Sequence, residues 1–282
     1  MPPSVRAGPN LERHPDVLPV CYYVPRPEIL PGPPGRFTIA SQGRFLINRL
    51  IRVIRGVDHV LLDFDGVLAD SEPLYRKSWN QALSAYDHQV PEGEYWLYWT
   101  NRGEGLEGEI RRHRLPIDTR ERRQLRQTQR RIYSRLCREG AVQLFPRAPS
   151  LLRLLSRGVA GISGFAIASN TSSDLVTVIL EKSEAPVPTV VGGEGLPHKP
   201  DPAIFLAAAE RLGADPACSL VVEDAEKGVR AARAGGFKSC LVRNDQNRNL
   251  HIEADCEVPS LARLVGLLKD LGEGGRTSGW TS

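Results

Sequence analysis

An α/β fold is what this sequence predicts: a parallel sheet covered by helices on both faces, with a helical block inserted after its first strand. Two observations carry it. From about residue 57 short apolar strand-like runs alternate with helical patterns, an order that makes a parallel sheet with helical crossovers. The stretch up to about residue 145, by contrast, shows helical periodicity and no strand signal, so it reads as an all-helical insertion.

Taken in order, residues 1 to about 43 are rich in Pro, Gly and Arg and have neither helical nor strand periodicity. They are expected to form an extended or disordered arm. In GRFLINRLIRVIRGV, Leu46, Ile47, Leu50, Ile51 and Ile54 recur at helical spacing among arginines. Such a helix could lie on a membrane surface or bind a partner, and packing on the chain's own core is the expectation here. Together these make an N-terminal extension over 1–56. DHVLLDFD then reads as a short buried strand, and SEPLYRKSWNQALSAY as a helix capped by Ser71, with Tyr75, Trp79, Leu83 and Tyr86 on one face. Asp118 and Glu121 have the spacing of a capping box, followed by a helix lined by Leu125, Ile132 and Leu136 that ends at Gly140. Beyond it come a leucine-rich helix, then the strands GFAIAS, TVVGG, SLVVED and SCLVRN separated by helices, and a last helix, SLARLVGLLKDLG. Asp201, Pro202 and Gly213 delimit the helix in DPAIFLAAAERLG. The expected division is a core of 57–73 and 146–272, a helical cap of 74–145, and a disordered tail of 273–282.

Composition narrows the function classes. At 282 residues, with 41% hydrophobic and 25% charged residues, the chain is an ordinary globular protein able to bury a sizeable core. A net charge of +4 gives no reason to expect nucleic-acid binding. The arginine run from Arg111 to Arg138 is read as a solvated helix face, with steering of anionic substrates as its functional alternative. No apolar run approaches the roughly 18 residues of a membrane span, so no membrane partner is expected. The first 30 residues lack the order of a signal peptide, and Glu12, Asp16 and few serines argue against a transit peptide. Five widely spaced cysteines in no metal or redox pattern are read as reduced thiols of a cytoplasmic protein.

Ligands of open parallel sheets bind at the carboxyl ends of the strands. Asp63 and Asp65 follow the first predicted strand, Ser169 and Asn170 the second, and Glu223 and Asp224 the fourth, while Lys199 lies in the loop after the third. Clustered carboxylates repel one another unless a cation sits between them, and hard oxygen ligands suit Mg2+. Lysine, hydroxyl and backbone N–H groups beside that metal would make a pocket for a tetrahedral phosphoryl group.

The segments DFDGVLADSEPLY, IASN, HKPDPAIF and VVEDAEKGV resemble, in order and spacing, the four motifs of the haloacid dehalogenase superfamily. The resemblance covers roughly residues 57 to 245 and is closest to the helical-cap group that contains β-phosphoglucomutase and sugar-phosphate phosphatases. It implies a Rossmann-like three-layer core, with Asp63 as the nucleophile that takes the phosphoryl group and Asp65 as general acid and then base. It also implies Mg2+ held by Asp63, the Asp65 carbonyl, Asp224 and Glu223, the last of which could instead stand behind the ligands. Ser169, Asn170 and Lys199 would bind the phosphoryl oxygens. Superfamily dehalogenases lack the second aspartate, so carbon–halogen chemistry is disfavoured. Arg102 lies near where relatives place substrate-selecting cap residues, and Tyr75 stands where several relatives, mutases included, carry His. The expected activity is therefore a Mg2+-dependent phosphatase of a small phosphorylated metabolite. A phosphomutase of the β-phosphoglucomutase type and a non-catalytic partner- or nucleic-acid-binding protein are the alternatives. Asp70 is read as a helix cap and His198 as positional.

Overall fold

The computed structural model describes residues 48–273. The readings of the Pro/Arg-rich arm and of residues 274–282 fall outside them. Helix α1 (48–54) buries Leu50 and Ile54 in the main apolar core, so the amphipathic segment packs on its own chain.

Strand β1 (His59–Leu62) is followed by the two-residue β2 (Ala69–Asp70) and later by β3 (Gln143–Leu144), β4 (Gly164–Ala168), β5 (Thr189–Val191), β6 (Ser219–Glu223), β7 (Lys238–Val242) and β8 (Cys256–Val258). Six of them form one sheet in the order β5-β4-β1-β6-β7-β8, parallel at every pairing. The period of two along the central strand decides the layers. Val60 and Leu62 join one core, and Leu61 joins the other with Ala166, Ala168 and Val221. The first face is covered by α6 (Ala148–Ser156), α7 (Ser173–Lys182) and α10 (Leu261–Gly272), and the second by α8 (Ala203–Leu212) and α9 (Glu226–Ala234). After β1 the chain builds outward through β4 and β5, then returns to lay β6 on the other side of β1. That reversal opens a crevice at the carboxyl end of β1, where open α/β sheets bind ligands.

Between β2 and β3 the chain forms α2 (Glu72–Leu83), the single turn α3 (Glu92–Glu94) running into a π-helix at Tyr95–Asn101, α4 (Gly105–His113) and α5 (Thr119–Arg138). This block has its own apolar core, including Trp79, Leu83, Tyr95, Trp99 and Leu106. In α5 the Asp118 side chain accepts from Glu121 N while the Glu121 side chain accepts from Asp118 N, at 2.8 and 2.7 Å. The stripe that α5 buries is Leu125, Gln129, Tyr133 and Cys137, with Ile132 and Leu136 half-buried beside it. Most arginines of the run face solvent, as the solvated-face reading holds, although Arg126, Arg130 and Arg138 line a cavity.

Three readings are corrected. The stretch to 145 is not wholly helical, because β3 pairs antiparallel with β2, Asp70 facing Gln143 and Ala69 facing Leu144; two residues carry no periodicity to read. Strand β8, three residues long, was missed as well. The Ser71 side chain makes no capping hydrogen bond to α2, since its hydroxyl is drawn into the site below. Cys137, Cys240 and Cys256 are free and buried. Among the described residues no helix is long and apolar enough to cross a membrane.

Replacing Asp118 by Ala removes the bond its side chain accepts from Glu121 N and leaves the main-chain N–H of position 118 to donate to the Glu121 side chain. We expect a loss of about 1 kcal/mol in unfolding free energy, measured by urea denaturation, with the β-sheet signal of the native state unchanged.

Candidate active site

The floor of the crevice starts where β1 stops. Asp63 N–H still donates to Val222 O at 2.9 Å, and then the chain leaves the sheet in a tight loop in which Phe64 O accepts from both Leu68 N and Ala69 N. Gly66 makes the loop possible. Its φ is +85°, and a Cβ there would lie 2.1 Å from Asp224 Oδ2, so only glycine lets this loop close around that carboxylate. From the neighbouring strand, Glu223 and Asp224 arrive at the same level. Gly228 performs the equivalent service for Glu223, since a Cβ on α9 would meet the Glu223 carboxylate at 1.9 Å.

One ammonium holds these acids together. Lys199 is 5% exposed, and its Nζ donates to Asp63 Oδ1 at 2.5 Å, Glu223 Oε1 at 2.7 Å and Ala168 O at 3.0 Å. Its three hydrogens are thereby used. Burial opposes the lysine's charge, but the Asp63 and Glu223 carboxylates outweigh burial and hold its pKa above the ordinary lysine value. The other oxygen of Glu223 accepts from Asp224 N and Ala225 N at 3.0 and 3.2 Å, so both its oxygens orient chain groups. Burial, and then the charge of Glu223, push Asp63 up to about 8. Asp224 is likewise raised well above the usual carboxylate range by burial and by Glu223 and Asp63.

Asp65 has different surroundings. Ser71 Oγ donates to Oδ1 at 2.5 Å, and Ser169 Oγ and Thr171 Oγ1 donate to Oδ2 at 2.6 and 2.9 Å. A hydroxyl rotates to donate or accept, so this ring can follow the carboxyl group through both protonation states. The structure thus sets Ser169 against Asp65, and Lys199 between Asp63 and Glu223. Asn170 lines the cavity, with its Oδ1 accepting from Lys199 N at 3.3 Å.

Sequence reasoning missed four positioning side chains. Ser71 and Thr171 complete the ring on Asp65. Asn244 Nδ2 donates to Asp224 Oδ2 at 2.9 Å, and Asn247 Nδ2 to Asp224 O at 2.7 Å. Asn244 lies just beyond the end of β7, so extending the strand-end survey by one strand would have found it.

Asp63, Glu223 and Asp224 present carboxylate oxygens that all lie within 4.8 Å of one another. The three acids have one lysine, which touches two of them, the charge of Glu223 raises the pKa of both Asp63 and Asp224, and Gly66 keeps the space beside Asp224 clear. This donor set fits a divalent cation that prefers hard oxygen ligands, as Mg2+ does.

Above the floor is a cavity of about 920 Å3. Asp63, Asp65, Asn170, Lys199 and Asp224 line it from the sheet, and Tyr75, Trp79, Trp96 and Trp99 from the helical block. Tyr75 is thus placed over the acids, its ring centroid 5.0 Å from that of Tyr133. Arg102 is not among the lining residues; it is exposed, its guanidinium 5.2 Å from the centre of the Tyr98 ring.

The class that the sheet and its strand ends define is a Rossmann-like α/β protein with an acidic, lysine-bridged site at the carboxyl edge of a parallel sheet. Residues 57–236 match the haloacid dehalogenase-like hydrolases, and the chain belongs to that family, as its motifs implied. It is 30% identical over 209 residues to the phosphoglycolate phosphatase of Shigella boydii, covering 66% of this chain and 80% of that protein. Over 249 residues it is 26% identical to the β-phosphoglucomutase of Mycobacterium tuberculosis, covering 77% and 95%. The crystal structure of CbbY from Rhodobacter sphaeroides in complex with phosphate superposes with a TM-score of 0.62 at 25% identity, covering 76% of this chain and 99% of that one.

Lys199→Met would strand two buried carboxylates without their partner. Breaking a buried ion pair costs roughly 3–5 kcal/mol, and urea unfolding of this variant at neutral pH should show a loss of that size.

Proposed function

We propose that this hydrolase is a Mg2+-dependent phosphatase acting through an aspartyl-phosphate on Asp63, with a small phosphorylated metabolite of the sugar-phosphate type as substrate. The observation that carries the reading is the contrast between two aspartates two residues apart. Asp63 faces the cavity beside an ammonium and two carboxylates, whereas Asp65 is ringed by three hydroxyls.

In the first step an Asp63 oxygen attacks phosphorus, the bond to the leaving oxygen breaks, and Asp65 delivers a proton to that oxygen. In the second, Asp65 takes a proton from water as the water oxygen attacks phosphorus, freeing phosphate and restoring Asp63. Asp63, the Asp65 main-chain carbonyl and Asp224 would hold Mg2+, with Glu223 fixed behind them by Lys199. Bound there, the ion offsets the repulsion between an anionic nucleophile and an anionic phosphate. Lys199 opposes protonation of Asp63 and aims it, and Asn170, which lines the cavity, would bind a phosphoryl oxygen, while Ser169 acts on Asp65. The helical block, 74–145, acts as a cap that excludes water from the core, 57–73 and 146–272. Water is preferred to a second sugar hydroxyl as acceptor because Tyr75 stands where several relatives, mutases included, carry His, which weakens the mutase reading. Isomerised sugar phosphate without free phosphate would be the mutase outcome.

Turnover of a sugar phosphate should cease in excess chelator and return with Mg2+; undiminished phosphate release with chelator present overturns the metal assignment. Asp63→Asn should form no phosphoenzyme. Asp65→Asn should lose about 10²- to 10⁴-fold in phosphoenzyme formation from a sugar phosphate and much less from acetyl phosphate, whose leaving group needs little protonation. Rapid-quench assays on both substrates separate the two roles, and equal slowing on both rejects the role given to Asp65.

A further inference from the structure

Among the described residues a second group of metal-ligating side chains lies within the helical block, and none of its members lines the cavity. His88, Glu109 and His113 each offer one ligand atom, all within 4.8 Å of one another. Glu109 and His113 share one face of α4, a turn apart. His88 is brought to them by a bend. Asp87, at φ +51°, turns the chain after the short 3-10 helix Ser84–Tyr86. The segment that follows is tied to α2, with Val90 N donating to Asn80 Oδ1 at 2.9 Å and Arg76 Nε donating to Val90 O at 3.1 Å. The His88 ring is thus held with its centroid 4.8 Å from that of His113.

Glu109 is the centre of the group. Its side chain is fully buried, and its two oxygens serve different neighbours. Oε2 accepts from Trp99 Nε1 at 2.9 Å and from Arg112 Nη2 at 2.6 Å. Oε1 faces both histidines, 2.8 Å from His88 Nε2 and 3.4 Å from His113 Nε2. A carboxylate fixed through one oxygen and presenting the other is how metal sites orient their donors. Zn–N and Zn–O bonds of about 2.0–2.2 Å put tetrahedral ligand atoms roughly 3.3–3.5 Å apart, close to the separations here. Charge points the same way. With neutral imidazoles, the carboxylates of Glu94, Glu104 and Glu109 outnumber the Arg111 and Arg112 guanidiniums paired with them. Imidazole mixed with carboxylate suits Zn2+, whereas Mg2+ takes oxygen ligands.

We infer that His88, Glu109 and His113 form a Zn2+ site in the helical block, separate from the acids at the strand ends, with Glu94 beside it as a further oxygen donor. Glu94 Oε2 is 2.9 Å from His113 Nε2. The ion ties α4 to the bend after α2. Through Glu109 and the indole of Trp99 it also braces a ring that lines the cavity. Without the ion, each Nε2 must carry a proton to face a carboxylate; with it, both nitrogens are bare and ligate. The site is independent of the reaction assigned above.

The test is calorimetric titration of the full-length protein with Zn2+, with Mg2+ kept in large excess to occupy the strand-end acids. The wild type should take up a Zn2+ ion, and His88→Asn and His113→Asn should each weaken that binding by about a hundredfold or more, since losing a ligand costs at least as much as losing its supporting hydrogen bond. His251→Asn, at a side chain 90% exposed, should bind as the wild type does. The imidazole 15N resonances of the wild type give a readout that needs no variant to fold. On adding Zn2+, Nε2 of His88 and of His113 should lose its proton and shift, and the His251 ring should stay unchanged. No uptake by the wild type overturns the inference and leaves a hydrogen-bonded cluster. Uptake that survives both substitutions, or that leaves the His88 and His113 resonances unmoved, places the ion elsewhere and overturns it equally.

Discussion

A single buried ammonium makes this site possible. Three carboxylates gathered at the ends of adjacent strands would repel one another and resist burial, and the Lys199 side chain answers two of them directly, on Asp63 and Glu223. It does not neutralise the group. Asp63 and Asp224 remain pushed toward their protonated forms, so the folded chain keeps an unmet demand for positive charge at the place where its substrate's anionic end would arrive. The arrangement is costly in isolation and useful in function, as strained polar clusters at binding sites commonly are.

The backbone serves that cluster at several distances. The sheet reverses direction at β1, which brings the ends of β1, β4 and β6 to one crevice. Gly66 and Gly228 remove the two Cβ atoms that would collide with Asp224 and Glu223. The loop beyond β7 then reaches back with Asn244 and Asn247 to hold Asp224 from the far side. Each of these is a local choice of residue that makes sense only once the parallel sheet exists.

Much of this was legible beforehand because buried parallel strands are strong signals and the loops at their carboxyl ends are short. Asp63, Asp65, Lys199, Glu223 and Asp224 could be named from strand ends and motif order alone, and the structure brings them together. What could not be read depended on contacts between distant segments. Ser71 looks like a helix cap in sequence, yet its hydroxyl reaches Asp65, and nothing local distinguishes the two uses. Strands β2 and β3 are two residues each and leave no pattern. Arg102 sits beside cavity residues Asn101 and Gly103 but turns outward onto Tyr98, since neighbours along an irregular helix end point in different directions.

The small β2–β3 ladder has a consequence for how such a protein can change over time. The chain enters and leaves the helical block through adjacent antiparallel strands, so the two ends of the insert meet within one strand spacing, about 4.8 Å. A segment whose ends already touch can be lengthened, shortened or replaced wholesale while the sheet that carries it keeps its path. The reacting acids and the wall that meets the substrate's organic part are thereby inherited as separable pieces, and ancestry can preserve the one while rewriting the other.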